Sequence, residues 1–545
     1  MGLTTVTFKI IKRTKKVKQI ENHHFNLPYY IFFLMTIGIF PFKVFAESAP
    51  PDNRSYDDKP ACVTINHIEL SHLSTFPNAA NLKDQASSVY GLCLGDQGLL
   101  SLVAKLQSQL VSDGYITSRV IFADEHYTDG TLYLKLVPGR IEDIRLDKQS
   151  VGHVYLNAQF PSQPGELVNL RDIEQGLENL QRLPSVSASM DIELNKEDLT
   201  SQIKVNRQQS RFWRVNAYVD DAGPYAVGRY RTGAILSLDN PLSLSDLLYF
   251  SGNRDIDRQF DRGYGNYALH YSVPYGNWLL NMTGSRGHRY QSLLLAESSF
   301  HYRTRWKMLD AQIQRLLSRG VNYKTTGYVG VLMRKSASYF ADNELGVQRL
   351  KTTDWQLGFE HLHYMPWATF KGGIRYQQGA SWFGAQPIPG KTDMAPARLV
   401  VITGSLDIPF TLGAQNFNYR PVFSHQHTYS DISVQDRFSI GGRDSVRGFN
   451  QRSAVVGPRG WYFKNDVAWS PPISGIQMYV GMDYGEMNEK GHQLLLGERL
   501  MGAVVGIRGN YNPFSYDFNI STPILKPAKS HADPLVFGFT VSWQY

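Results

Sequence analysis

The last nine residues alternate without a fault. Phe537, Phe539, Val541, Trp543 and Tyr545 fall on one face, and Gly538, Thr540, Ser542 and Gln544 on the other. A period of two is the mark of an extended strand with unlike faces. A soluble sheet ending on an exposed row of four aromatics and a valine would be an open invitation to edge pairing. A sheet closed into a tube and facing lipid needs such a row and has no free edge.

The same texture runs back to Phe212. Between Phe212 and the C-terminus no convincing amphipathic helix appears, but about sixteen alternating, aromatic-rich segments do. They begin near Phe212, Gly228, Asp246, Gly263, Asn277, Ser298, Val321, Thr352, Trp367, Pro396, Gln415, Trp461, Gln477, Leu500, Asn512 and Leu535. Alternate connections are short and turn-like, as at Asp239-Asn240-Pro241, Pro274-Tyr275-Gly276-Asn277, Met365-Pro366 and Ser470-Pro471-Pro472. The others are longer and polar. An even number of antiparallel strands with short turns at one end and long loops at the other predicts a membrane β-barrel over 208–545.

The beginning of the chain agrees with export. The formal charge of the whole is +8, but residues 1–46 hold Lys9, Lys12, Arg13, Lys15, Lys16, Lys18 and Lys43 against Glu21. Removing that excess leaves +2, so nothing calls for nucleic acid. Basic stretch, apolar Tyr29 to Phe40 and Val44-Phe45-Ala46 read as the three parts of a signal peptide, 1–46. Tyr29 to Phe40, between Pro28 and Pro41, is too short for a spanning helix, which needs roughly 20 residues. Residues 47–59 are polar and proline-containing, a linker. The two cysteines, Cys62 and Cys93, are expected to pair in an oxidising compartment.

Two small α+β units lie between linker and barrel, at 60–138 and 139–207. In the first, Cys62 to Leu70 reads as a strand, and Leu99, Val103, Leu106 and Leu110 form a helical stripe stopped at Gly114. Thr117 to Phe122 and Thr131 to Val137 then alternate as strands. The second repeats this order. Ile141 to Leu146 is a strand, Ile173, Leu177 and Leu180 mark a helix, and Pro184 stops it. Val186 to Leu194 and Gln202 to Val205 complete a sheet whose edge offers pairing to an extended peptide.

One stretch of the barrel region does not read as wall. Gly441-Gly442-Arg443-Asp444-Ser445-Val446-Arg447-Gly448-Phe449 lies in the long loop 429–460. Glycines let a backbone approach a wall closely, and an arginine fork suits a carboxylate. Beyond the next strand, Met478, Val480, Met482 and Tyr484 share one face, and Tyr479, Gly481, Asp483 and Gly485 the other. With the apolar face toward lipid, Asp483 points into the barrel, where an inward-folded loop brings Arg447 to it.

Other chemistry is weaker. Gly384 to Thr392 reads GAQPIPGKT, one residue too long for a phosphate-binding loop and carrying two prolines. His361 with His363, and His425 with His427, share strand faces without a third ligand at a metal spacing, and read as interfacial or lumen-facing. No GxSxG, HExxH or CxxC occurs. The expectation is a protein that is not an enzyme and has no metal, cofactor or ATP site.

The arrangement as a whole resembles the two-partner-secretion outer-membrane transporters, the haemolysin secretion/activation (TpsB) family. The likeness covers essentially all of the mature chain. Ser445-Val446-Arg447-Gly448-Phe449 is similar to the family's VRG(Y/F) motif, and Gly481-Met482-Asp483-Tyr484-Gly485 to its barrel-wall aspartate motif. Cys62-Val63-Thr64-Ile65, Gly91-Leu92-Cys93 and Val137-Pro138-Gly139-Arg140-Ile141 match the first of its two POTRA domains and the junction between them.

The resemblance implies a periplasm-facing pair of POTRA domains that receive one large, unfolded exoprotein. It further implies a monomeric outer-membrane barrel that conducts the chain to the surface of a Gram-negative cell without ATP. The cargo would be a haemolysin, adhesin or contact-dependent toxin, in some cases activated on passage. The motif loop folds into the lumen, its arginine on the wall aspartate. The final aromatic row is expected to be the signal read by the barrel-assembly machinery. Many relatives also carry a pore-plugging helix and a long linker, for which Glu47 to Pro60 is too short. The alternatives are an outer-membrane assembly insertase of the same superfamily, which usually has more POTRA domains, and a passive porin or receptor, which would leave the periplasmic units unused.

Overall fold

The computed structural model describes residues 6–10, 62–77, 79–195, 197–223, 226–257, 261–295, 298–386, 396–450, 453–488, 498–528 and 530–545. Most of the expected signal peptide, the whole linker 47–59 and Gly390 to Thr392 lie outside them. The described residues form two compact units, one ending at Gln209 and one beginning at Ser210.

The first unit holds two α+β domains. In the first domain, His67–Ser71 runs parallel to Thr131–Val137, which pairs antiparallel with Arg119–Thr128. Helices α1 (Ala79–Ser87) and α2 (Asp96–Ser112) cover this sheet. The α2 stripe is the expected one with Leu102 added to it. Leu102, Leu106 and Leu110 are fully buried, while Leu99 and Val103 flank the core. Gly114 sits just past the helix with φ +100°, where its side-chain-free backbone leaves room for the Asn169 side chain. Helix α1 had no clear sequence signal: Leu82 and Ala86 are its only buried residues. Cys62 and Cys93 form a disulfide with Cα atoms 5.3 Å apart, beside the short pairing of Val63–Thr64 with Cys93–Leu94.

In the second domain, Arg140–Leu146 lies parallel to Thr200–Gln209, which pairs antiparallel with Val186–Leu194. Helix α3 (Leu170–Gln181) buries Ile173, Leu177 and Leu180 against Met190, Ile192, Ile203 and Val205. Its first turn is capped by the Asn169 side chain, which accepts from Arg171 N at 2.8 Å. The outer edge of this sheet is occupied. Val6–Ile10, inside the segment read as a signal peptide, adds antiparallel to Val186–Leu194 over five residue pairs.

The second unit is a closed sixteen-stranded antiparallel barrel. Its strands are β1 Trp213–Asp220, β2 Arg231–Asp239, β3 Leu247–Asp255, β4 Arg262–Tyr275, β5 Trp278–Leu295, β6 Ser298–Arg319, β7 Tyr323–Phe340 and β8 Leu350–Tyr364. They continue with β9 Thr369–Ala380, β10 Arg398–Leu412, β11 Gln415–Thr428, β12 Arg459–Ser470, β13 Ile476–Asn488, β14 Glu498–Tyr511, β15 Phe514–Leu525 and β16 Val536–Gln544.

Closure runs through β16 and β1, which pair from Asn216–Gln544 to Asp220–Thr540, extended by two backbone bonds between Val215 and Tyr545. Register carries the alternation from strand to strand. Phe539 faces Phe518, Phe518 faces Ile507, and Ile507 faces Met478, so one apolar face continues around the wall. Phe537, Val505, Val480, Phe359 and Ile313 on that face are exposed. Ser542, Ser521, Asp466, Gln426, Gln377 and Asp354 on the other face are buried. His361 and His363 fall on the outer face and stack with Tyr323, and His425 and His427 lie on the same face of β11. Short turns at the Tyr275–Trp278 and Leu412–Gln415 ends mark the side the chain enters from.

Two consequences are testable. Deleting Trp543 to Tyr545 removes two of the five β16–β1 register pairs and the Val215 bonds, leaving an open edge in hydrocarbon. The truncated chain is expected to be absent from the outer membrane as heat-modifiable barrel, and normal insertion would refute the role of this seam. Cys62→Ala is expected to lower the stability of the first α+β domain by about 3–4 kcal/mol, the chain-entropy value for a loop of this length. Barrel heat-modifiability should be unchanged, and peptide mapping without reductant should recover Cys62 joined to Cys93.

Candidate functional site

The inner wall of β13 is prepared by its sequence. Tyr479, Gly481, Asp483 and Gly485 face inward, so two of four wall positions carry no side chain. The neighbouring β14 offers Gly502 beside Asp483. The loop between β11 and β12 occupies this bare strip. A Cβ on Gly502 would strike the Arg447 carbonyl, and one on Gly481 would strike the Arg447 guanidinium and Asn465 carbonyl. The wall is glycine here because another backbone lies on it.

The loop is itself folded. Phe438–Ile440 and Val455–Gly457 pair as a short antiparallel ribbon. Between them the chain turns at Gly441 and Gly442, with Gly442 N donating to Val446 O at 2.9 Å. Val446 and Phe449 are buried in a cluster with Ile440, Met487 and Leu500, the last two from the inner faces of β13 and β14. Gly448 has φ +94° against the Thr522 carbonyl, a conformation and a clearance that only glycine meets.

Arg447 then reaches Asp483. Its Nε donates to Oδ2 at 2.6 Å, its Nη2 to Oδ1 at 2.7 Å, and its backbone N–H to Oδ2 at 3.0 Å. Asn465 N–H gives Oδ1 a fourth bond at 3.1 Å. The carboxylate is 0 % exposed and every lone pair direction is used. The fork is shared, since Arg447 Nη2 also lies 2.6 Å from Asp466 Oδ1 in an ion pair off hydrogen-bond alignment. Asp466 Oδ2 in turn faces Arg508 Nη1 at 3.8 Å. Lys464, between these carboxylates on β12, donates to Arg443 O at 2.9 Å and so holds the loop a second time.

The sequence placed Arg447 and Asp483 on facing surfaces, and here they meet. Asp466 and Lys464 were not singled out, although the inward alternation Tyr462, Lys464, Asp466, Ala468 places them beside Asp483. A second clasp was also missed. Asp436, at the near end of the loop, pairs with Arg334 of β7 at 2.7 Å, and Arg334 pairs with Asp354 of β8 at 2.7 Å. Gln377 of β9 donates to Asp436 at 3.0 Å, and Gln435 to Ser336 of β7 at 2.9 Å. The loop also reaches β16, where Arg443 donates to Thr540 at 3.0 Å. It is fixed to the wall at both ends and inside the barrel, because every partner named lies on the inner face.

Of the other residues picked from the sequence, Cys62 and Cys93 lie in the first unit, apart from this site. Phe537, Phe539, Val541, Trp543 and Tyr545 line the outside of the closing seam. Among the described residues no group of three metal-ligating side chains converges.

Comparison with known proteins gives one answer across the chain. The profile described as haemolysin secretion/activation protein ShlB/FhaC/HecB matches residues 200–509. A ShlB-type POTRA profile matches 63–139 and a second POTRA profile 140–193. Outer membrane transporter CdiB-2 of Burkholderia pseudomallei is 29% identical over 85% of this chain and 80% of its own length. Hemolysin transporter protein ShlB of Serratia marcescens is 26% identical over 82% and 79%. Among solved structures, CdiB from Acinetobacter baumannii aligns with a TM-score of 0.80 at 26% identity, covering 92% of this chain and 95% of that one. CdiB from Escherichia coli aligns at 0.82 and 24% over 92% and 94%, a likeness of fold. The chain belongs to the ShlB/FhaC/HecB family of haemolysin secretion/activation proteins, the outer-membrane transporters of two-partner secretion.

Proposed function

We propose that this transporter moves one large exoprotein in unfolded form, received by the POTRA domains in the periplasm and conducted through the barrel without ATP. The loop bearing Val446, Arg447, Gly448 and Phe449 is the working part of the conduit, and Asp483 is its seat. The observation that carries this reading is the Arg447–Asp483 contact. Three hydrogen bonds from Arg447, with a fourth from the wall residue Asn465, converge on one fully buried carboxylate, and those of Arg447 hold a loop inside the barrel. The barrel ladder does not need that loop, so such an investment in fixing it points to transport. No step makes or breaks a covalent bond, and the protein acts as a monomer that is not an enzyme.

The docking surface is the strand edge of the second POTRA domain. The outer side of Val186–Leu194 is long enough for five antiparallel residue pairs, here taken by Val6–Ile10. Removal of a signal peptide ending at Ala46 would vacate that edge. Main-chain pairing suits an extended cargo whose side chains vary. The final strand, by its lipid-facing row from Phe537 to Tyr545, is the segment the barrel-assembly machinery would engage.

Two experiments test this. Exchanging residues 60–207 with those of a relative is expected to transfer cargo choice. Cargo choice that stays with residues 208–545 would place recognition in the barrel. For the loop, Arg447→Ala strands the buried Asp483, at a cost on the order of 3–5 kcal/mol to loop seating, and Asp483→Ala leaves Arg447 with Asp466 alone and without its two-pronged contact. Both should insert normally and release little cargo to the medium. Arg447→Lys should recover only part, since a point charge cannot make the two-pronged contact. The double variant should be no worse than either single. Near-normal secretion by Arg447→Ala would refute the loop's role.

A further inference from the structure

The outer wall carries a feature that cargo transport does not use. On β5 to β8 the outward side chains are apolar in the middle of the wall: Leu280 and Met282, Leu309 and Ile313, Val329 and Val331, Leu357 and Phe359. Toward the end far from the short turns, that face changes abruptly. Arg286, Lys307, Lys335 and Lys351 stand in direct register, one on each of four neighbouring strands. The next outward step adds His288 and Arg305, and the one above it Arg303.

Four cations side by side across a sheet repel one another, because directly opposed side chains sit roughly 5 Å apart at Cβ. Arg303 has an acidic partner, Asp342 at 3.2 Å. None of Arg286, Arg305, Lys307, Lys335 and Lys351 is in an ion pair with a described acid. Arg286, Arg305, Lys307 and Lys335 are exposed. Two of the guanidiniums are nonetheless held in place: Arg286 lies 5.9 Å from the ring centre of Tyr267, and Arg305 5.7 Å from that of Tyr339. Arg286, Arg303, Arg305, Lys307 and Lys335 border a groove of about 810 Å³ on the wall, and Lys351 stands next to Lys335 beyond it.

The height of the row identifies what it faces. Trp278, at the short-turn end of β5, lies under Arg315 at 4.9 Å and belongs to the inner aromatic girdle. From Trp278 to Arg286 the strand rises roughly 27 Å along its length, or about 20 Å along the membrane normal at the usual tilt. The apolar band of such a barrel is roughly 25 Å tall, so the cations stand within about 5 Å of its outer boundary, a gap that Lys and Arg side chains cover by extending toward the headgroups. Headgroups of the cell-surface leaflet lie at that level. In a Gram-negative outer membrane that leaflet is built from a glycolipid carrying phosphates on its sugar core.

We propose that the β5–β8 wall is a binding site for this phosphorylated glycolipid. Lys307, Lys335, Lys351 and Arg286 take its phosphates, and the aliphatic rows beneath take its acyl chains. The anion relieves the repulsion of the row, and the tall strands β5 to β7 are thereby gripped by the leaflet. Charge complementarity selects the phosphates, while the adjoining apolar rows require that they be attached to a lipid.

The test uses the purified full-length chain in mild detergent, with bound lipid counted by native mass spectrometry. Bis-phosphorylated lipid A, the same lipid A after phosphatase treatment, and phosphatidylglycerol are the three probes. The expected order of retention is bis-phosphorylated lipid A first, with the dephosphorylated form and phosphatidylglycerol at least tenfold weaker. Replacing Arg286, Lys307, Lys335 and Lys351 together by Gln should weaken lipid A binding by roughly fivefold per cation removed, given about 1 kcal/mol for each near an anionic surface. Arg315→Gln, at the opposite boundary, should not change it. Equal retention of lipid A with and without phosphates by the unaltered protein would overturn the proposal without recourse to any variant. Equal retention of phosphatidylglycerol would overturn the glycolipid assignment, and undiminished binding by the quadruple variant would overturn the site.

Discussion

A backbone in hydrocarbon has no water to turn to, so every amide of this wall must find its partner within the wall. The ladder between β16 and β1 is where that demand is settled, because without it two strands would present bare edges to lipid. Closure then fixes everything else about the faces. With register locked from β1 to β16, each strand's alternation adds to its neighbour's, and inside and outside become properties of the whole barrel. Asp483 is an inward residue only because Phe539, Phe518, Ile507 and Met478 are outward ones.

Inside that closed wall the protein tolerates a dense knot of charge. Arg447 and Arg508 face Asp483 and Asp466, and Lys464 is turned onto a loop carbonyl. A buried pair of this kind is poor evidence for stability, since the desolvation of both ions offsets much of their attraction. Its value is directional. A loop lying on a strip of glycines has few side-chain grips, and a two-pronged ion pair fixes both its position and its orientation. The hydrophobic cluster of Ile440, Val446, Phe449, Met487 and Leu500 supplies the non-directional part of the same attachment.

Much of this was legible in the chain. Period-two patterning located all sixteen strands to within a few residues, because lipid on one side and water on the other write the same code on each. It also set Asp483 opposite its apolar neighbours, and the composition of the Arg447 segment excluded a wall strand. What stayed hidden depended on three-dimensional proximity or on weak local signals. Helix α1 buries only Leu82 and Ala86, too little to make a stripe. The α2 stripe reads correctly at Leu106 and Leu110, but Leu102 is deeper than Leu99 and Val103, because all three precede Leu106 at helical spacings and only packing ranks them. The Asp436–Arg334–Asp354 clasp joins a loop to strands far from it in sequence, and no local pattern encodes that. The outward row of Arg286, Lys307, Lys335 and Lys351 is likewise visible only once register aligns four strands.

The double attachment of the motif loop has a mechanical meaning. One end is tied to β7, β8 and β9, the other to β12, β13 and β14. A tube of antiparallel strands shears and flattens easily, since hydrogen bonds resist separation of strands better than bending between them. A strut fixed to two arcs of the circumference holds their distance and makes the cross-section stiff. In the transport proposed above, withdrawing it would do two things at once: clear the bore and let the bore deform to whatever the passing chain presents. On that proposal the calibre of the passage and its compliance would be set by the same segment.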